Sequence, residues 1–121
     1  MATKNSFLLK RLKGVGYAFK GAFMLLKYEA SIQVQAFIAL IVTIAGFYFE
    51  ISSTEWMIQI LTIAVVMGVE GANSAIEEIA DFIHPEHHTK IGYIKDVAAG
   101  AVFFTAIAAV IIACIIYIPK F

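Results

Sequence analysis

The sequence predicts an all-α integral-membrane protein: an N-terminal amphipathic surface helix plus three transmembrane helices, with the N-terminus cytoplasmic. Three observations lead there. Of 121 residues, 61% are hydrophobic and 15% charged, with a mean hydropathy of +0.86, whereas a soluble domain is nearer half apolar and a quarter charged. Residues 30–49 and 97–119 carry no charge, and 56–69 form a third uncharged stretch that then turns acidic. The basic residues crowd to one end, with Lys4, Lys10, Arg11, Lys13, Lys20 and Lys27 all in the first 27 positions. The length suits one domain over 1–121. No signal peptide is expected, because the first 30 residues lack a compact apolar core and a small-residue cleavage site.

The surface helix is expected over about 6–27. Leu8, Leu12, Val15, Phe19, Phe23 and Leu26 recur at helical spacing on one face, with Lys13, Lys20 and Lys27 along a flank. Such a helix fits the plane of an anionic membrane surface, apolar side down. Ser6 is placed to cap its start. Gly14, Gly16 and Gly21 do not have the spacing of a phosphate loop.

The first span is expected over about 30–49, entered through Ser31, Gln33 and Gln35 and left through Phe47, Tyr48 and Phe49, which suit an interfacial aromatic belt. Both glutamines suit interhelical hydrogen bonding. Ser53 or Thr54 is placed to cap the second span, over about 55–82, which at 1.5 Å per residue is on the order of 40 Å long. The segment from His84 to Tyr93 reads as a loop broken by Pro85 and Gly92. The third span is then expected over about 95–118, with Tyr117 and Lys120 at its far end. Cys114 lies in an apolar run and reads as a small residue packed against lipid or protein. Eight of the nine Lys and Arg lie in the N-terminal region or the 82–96 loop and none in 50–55, which places the N-terminus and the end of span two in the cytoplasm.

The chemistry concentrates between Glu70 and Asp81. At 100° per residue, Glu70, Asn73, Ser74, Glu77 and Asp81 share about one third of a helix circumference, with Glu78 on the flank. A carboxylate at membrane depth costs about 2.5–3.5 kcal/mol on insertion scales, so it is seldom there without a task. Paired carboxylates with an amide oxygen suit Mg²⁺, which usually shares substrate phosphates, and an acid at the hydrocarbon edge can take a proton from an alcohol whose tail lies in lipid. Asn73 and Ser74 are placed to orient either acid, and Asp81 to pair with Lys95 or to cap the following loop. His84, His87 and His88 lack a further ligand at zinc spacing. The residues alone leave open a kinase, a transporter or a proton relay.

Glu70-x-x-Asn73-Ser74-Ala75-Ile76-Glu77-x-x-x-Asp81, followed by Glu86, His88 and Lys95-Asp96, resembles the signature of the bacterial diacylglycerol kinase family of small integral-membrane lipid kinases, which includes diacylglycerol and undecaprenol kinases. The likeness extends to Gly16-Tyr17 and to Glu29 before the first span. It implies transfer of the γ-phosphate of ATP to the primary hydroxyl of a membrane lipid alcohol, diacylglycerol or undecaprenol, for phospholipid or cell-envelope lipid recycling. It implies Glu70 as the general base and Glu29 and Glu77 as holders of Mg²⁺. Nucleotide contacts would come from Lys10, Tyr17, Glu29, Glu77, Glu86, His88, Lys95 and Asp96, and lipid contacts or orientation from Glu70, Asn73, Ser74 and Ala99. A homotrimer with sites shared between chains, in the bacterial inner membrane with the site at its cytoplasmic face, is also implied. No nucleic-acid partner is expected. Lys10 stands where the enterobacterial enzymes commonly have arginine, with Arg11 beside it. Residues 31–35 lack the charges frequent there, and Val97–Ala101 looks more like the undecaprenol kinase branch. The competing readings are a non-enzymatic proton or cation pathway and a structural membrane subunit.

Overall fold

The computed structural model describes residues 4–121 and is helical throughout: α1 (Lys4–Tyr28), α2 (Ala30–Tyr48), α3 (Ser53–Ile83) and α4 (Thr89–Tyr117), closed by a 3₁₀ turn at Ile118–Lys120. No β-strand occurs among the described residues. Three helices are long and apolar enough to cross a membrane: Ala30–Tyr48, Ser53–Ile83 and Thr89–Lys120. α3 and α4 form the most extensive helix pair, with α2 against α3 and α1 against α2.

α1 and α2 meet without a loop. Glu29 is the single extended residue between them (φ −100°, ψ 111°). The carbonyls at the end of α1 have no partners within their own helix. Gln33, one turn into α2, reaches back to supply them, its Nε2 donating to Leu26 O at 3.1 Å and Lys27 O at 3.0 Å. Over the described residues α1 is already helical at Lys4, so Ser6 lies inside the helix and not at its cap.

The turn between α2 and α3 has a Schellman geometry. Ile51 N donates to Gly46 O at 3.1 Å and Glu50 N to Phe47 O at 3.3 Å, with Glu50 in the left-handed region at φ 51°. Gly46 makes room for the indole at the start of α3: a Cβ there would stand 2.6 Å from Trp56 Cη2 and 3.1 Å from Ile51 Cδ1. Trp56 also meets Phe47, with ring centroids 4.8 Å apart. The cap of α3 is Ser52, not Ser53 or Thr54. Its Oγ accepts from Glu55 N at 3.1 Å while Glu55 Oε1 accepts from Ser52 N at 2.9 Å, a reciprocal box that needs the acid three residues on.

All three spans are tied together at this end of the bundle. Gln59, 5% exposed, donates from Nε2 to Val42 O at 3.1 Å. Its Oε1 accepts from the Tyr117 hydroxyl at 2.6 Å, and that hydroxyl also lies 3.0 Å from Val42 O. Lys120 pairs with Glu55 at 3.3 Å, and Phe49 meets the rings of Tyr117 and Phe121. At the opposite end the expected boundary of the third span is wrong by several residues. α4 starts at Thr89, because His88 caps it and the Gly92 amide makes a helical bond to His88 O at 2.9 Å. A glycine inside a helix costs only about 1 kcal/mol relative to alanine, too little to break a first turn that is capped.

Gly46→Ala is expected to lower stability by about 1–3 kcal/mol, the usual cost of overpacking, because the rigid indole must move. Glu50→Gly is expected to act in the opposite direction by up to about 1 kcal/mol, since glycine occupies the left-handed region without a Cβ penalty. Denaturation in mixed micelles measures both, and equal signs would contradict the turn geometry.

Candidate active site

The acidic half of α3 holds its polar side chains at two levels. Glu70, Asn73 and Ser74 are buried, each 8% exposed, whereas Glu77, Glu78 and Asp81 are exposed. Burying a carboxylate requires hydrogen-bond donors, and Glu70 has two. Asn73 Nδ2 donates to Glu70 Oε2 at 3.3 Å, and Gln35 Nε2 on α2 lies 3.5 Å from Glu70 Oε1. The same Asn73 amide nitrogen donates to Glu77 Oε1, also at 3.3 Å. One carboxamide, whose nitrogen carries two hydrogens, therefore links the buried acid to the exposed one. Glu70 and Glu77 are seven residues apart, about 10 Å along the axis.

Farther along α3, Asp81 Oδ1 pairs with Lys95 Nζ at 2.5 Å, as the sequence leads one to expect. This fixes the start of α4 against the end of α3. His84 Nδ1 donates to Glu86 O at 2.8 Å, and His88 Nδ1 accepts from Lys90 N at 3.0 Å, which assigns opposite roles to the two Nδ1 atoms. Their rings stand edge to face with centroids 5.1 Å apart. The loop that carries Glu86 and His88 is thereby folded onto the N-terminus of α4.

α1 approaches the site at its C-terminal end. Leu25 Cδ1 lies 3.0 Å from where a Cβ on Gly71 would stand, so the glycine beside Glu70 lets α1 come close. Glu29 is half-buried at the hinge and makes no side-chain capping bond. Tyr17 is 71% exposed and Lys10 is exposed, while Arg11 lies over the Phe7 ring at 5.0 Å. In α4, Asp96 is exposed, and Ala98 is the buried residue while Ala99 is exposed. The fold thus brings Glu70, Asn73 and Glu77 together within one helix and Lys95 to Asp81. It leaves Lys10, Tyr17, Glu29, Asp96 and Ala99 apart from that chain of contacts.

Sequence reasoning identifies Gln35 as an interhelical donor but not as a neighbour of Glu70. A polar residue one turn and a half into an uncharged span is the available signal, though the sequence does not state which α3 residue stands opposite.

Among the described residues, no three His, Cys, Asp or Glu side chains converge to hold a metal by themselves. Hard carboxylate oxygens are present at Glu77, whose Oε2 is not used by Asn73.

The family model for prokaryotic diacylglycerol kinase matches residues 16–117. The chain belongs to that family. It is 38% identical over 108 residues to an undecaprenol kinase of Bacillus subtilis, covering 89% of this chain and 88% of that protein. It is 30% identical over 116 residues to a diacylglycerol kinase of Escherichia coli strain K12, covering 96% and 95%. A Haemophilus influenzae diacylglycerol kinase is 28% identical over 100 residues, with 83% and 85% covered. The family match spans the α1–α2 hinge, the acidic face of α3 and the loop into α4, and leaves the first half of α1 with Lys10 outside it.

His88→Ala removes the acceptor that caps α4, and losses of this kind cost about 0.5–2 kcal/mol. Faster amide hydrogen exchange at Lys90 and in the first turn of α4, with α3 unchanged, is the expected result. Unchanged exchange there would mean that the cap carries no stability.

Proposed function

We infer that the chain transfers the γ-phosphate of MgATP to the primary hydroxyl of a membrane lipid alcohol. The observation that carries this reading is the hydrogen-bonded run from Gln35 through Glu70 and Asn73 to Glu77. It joins a buried acid at lipid depth to an exposed acid at headgroup depth, which is the separation that a lipid substrate and a water-soluble nucleotide require. Membership of a family whose relatives are undecaprenol and diacylglycerol kinases supports the same conclusion.

In this reading Glu70, ionised and held by two amides, takes the proton of the lipid hydroxyl. The alcohol oxygen forms a bond to the γ-phosphorus, the bond from that phosphorus to the bridging oxygen breaks, and ADP leaves with the electron pair. The products are a lipid monophosphate and ADP. Positioning and charge neutralisation are most of what this transfer needs. Glu77 and Glu29 are the carboxylates that would hold Mg²⁺, which when bound neutralises charge on the β- and γ-phosphate oxygens. Mg²⁺ commonly takes one or two carboxylates and completes its shell with phosphate and water, and Glu77 Oε2 fits that donor chemistry. Lys95, already paired with Asp81, supplies a positive charge toward phosphate. Lys10, Tyr17, Glu86, His88 and Asp96 complete the nucleotide side, and Ala99 with Asn73 and Ser74 the lipid side.

α1, with its lysines and apolar face, lies along the membrane surface. The placement of Lys and Arg supports a cytoplasmic position for this face, and the bacterial relatives support an inner membrane as its site. The residues expected at the nucleotide stand apart within one chain, which supports a homotrimer whose sites are completed by neighbouring chains. Undecaprenol is the preferred alcohol, supported by the higher identity to the undecaprenol kinase and by the Val97–Ala101 run.

Purified protein in mixed micelles is expected to transfer phosphate only with Mg²⁺ present. Glu70→Gln should reduce kcat by about 10²–10⁴-fold, the range for a general base. An unchanged rate removes Glu70 from that role, and ion flux in proteoliposomes without nucleotide, in place of phosphotransfer, would point to a conducting pathway. Offered at equal micelle fraction, undecaprenol should be phosphorylated with higher kcat/KM than diacylglycerol, and the reverse order would overturn the preference. Lys95→Met should raise KM for MgATP about tenfold while changing stability by less than about 1 kcal/mol, as for an exposed ion pair.

A further inference from the structure

We propose that Gln35 of α2 is the positioning residue for the lipid-level acid, fixing the Glu70 carboxylate from a neighbouring helix; this rests on the assignment of Glu70 as the base. Gln35 Nε2 lies 3.5 Å from Glu70 Oε1, a long hydrogen bond of the kind that tightens when substrate closes a site. It is the contact to this carboxylate that comes from outside α3, since the other donor, Asn73, belongs to the same helix. A carboxylate held only by its own helix can rotate about its side-chain bonds. A second donor from another helix fixes the carboxylate plane and leaves the remaining lone pairs aimed at one place.

The surroundings of Gln35 strengthen the contact. The residue lines a cavity of about 300 Å³ between α2, α3 and α4, whose walls are mostly apolar side chains such as Ile38, Val42, Val66 and Ile112, with Gln59 and Thr62. In apolar surroundings a hydrogen bond to a charged group is stronger than in water. The carbonyl oxygens of both amides, Gln35 Oε1 and Asn73 Oδ1, are buried without a hydrogen-bond partner. Each amide thus directs its nitrogen to the Glu70 carboxylate while its oxygen engages nothing else. Along α3 the next acid is Glu77, reached through Asn73, while Glu29 lies at the α1–α2 hinge, six residues before Gln35. Glu70 itself makes no direct hydrogen bond to either.

The test compares wild type with Gln35→Leu, which removes the donor at similar volume, and Gln35→Asn, whose amide stops one methylene short. Both should lower kcat by about ten- to a hundredfold, the range for losing a hydrogen bond to a charged group, with KM for MgATP unchanged. A second readout is independent of activity: the infrared carboxylate band that disappears in Glu70→Gln is compared in wild type and both variants at one pH, and its frequency should shift when the Gln35 donor is lost. Lower thermal stability with an unmoved band would reduce Gln35 to a packing residue and overturn the proposal. If wild type shows no phosphotransfer, the kinase reading fails, while the infrared band still decides whether Gln35 holds Glu70.

Discussion

Buried polar groups on an apolar helix must find partners, and this requirement organises the bundle around α3. That helix carries Gln59 near one end and Glu70 eleven residues on, about 16 Å along its axis. Each is buried, and neither can be left without hydrogen bonds in a medium that offers no water. Gln59 is satisfied by the Val42 carbonyl of α2 and the Tyr117 hydroxyl of α4. Glu70 is satisfied by Gln35 of α2 and by Asn73. Two polar contacts between α2 and α3, at different depths, set the register of one helix on the other in a way that interchangeable Ile, Val and Ala side chains cannot.

The two ends then serve different purposes. At the Gln59 end the polar groups close on one another: capping box, ion pair and aromatic cluster leave a knot with its donors and acceptors matched. At the Glu70 end they remain partly open, with two amide carbonyls unpartnered and the exposed Glu77 joined to the buried acid through one carboxamide. A closed polar knot stabilises a helical hairpin, whereas the open one leaves acceptors inside the bundle without a donor. The α1–α2 hinge obeys the same logic. Gln33 satisfies the end of α1, so the Glu29 side chain is not consumed in capping.

Much of this was legible in the residues. The four helices lie within a few residues of their expected positions at most ends, because uncharged length and helical periodicity report directly on membrane depth and buried face. The pairing of Asp81 with Lys95 and the interhelical use of Gln33 and Gln35 were also readable. The failures share a cause. Ser52 caps α3 rather than its neighbours because the reciprocal bond with Glu55 outweighs the identity of any one hydroxyl residue. Gly92 does not interrupt α4 because the His88 cap and the ion pair at Lys95 hold that turn from both sides. Local propensity was overruled in each case by a specific partner.

By itself the sequence determined that this is a three-span helical membrane protein with an added N-terminal helix, and that the acids and amides from Glu70 to Asp81 gather on one helix face. Those properties depend on how residues repeat along a single helix. Only the tertiary structure decided that Gln35 stands at Glu70, that Tyr117 reaches Gln59, and that Gly46 and Gly71 are the places where Trp56 and Leu25 come close. Such facts depend on the register and rotation of one helix against another. Register is selected by the few polar and small residues that meet across the interface, and the repeat pattern of either helix alone does not carry it.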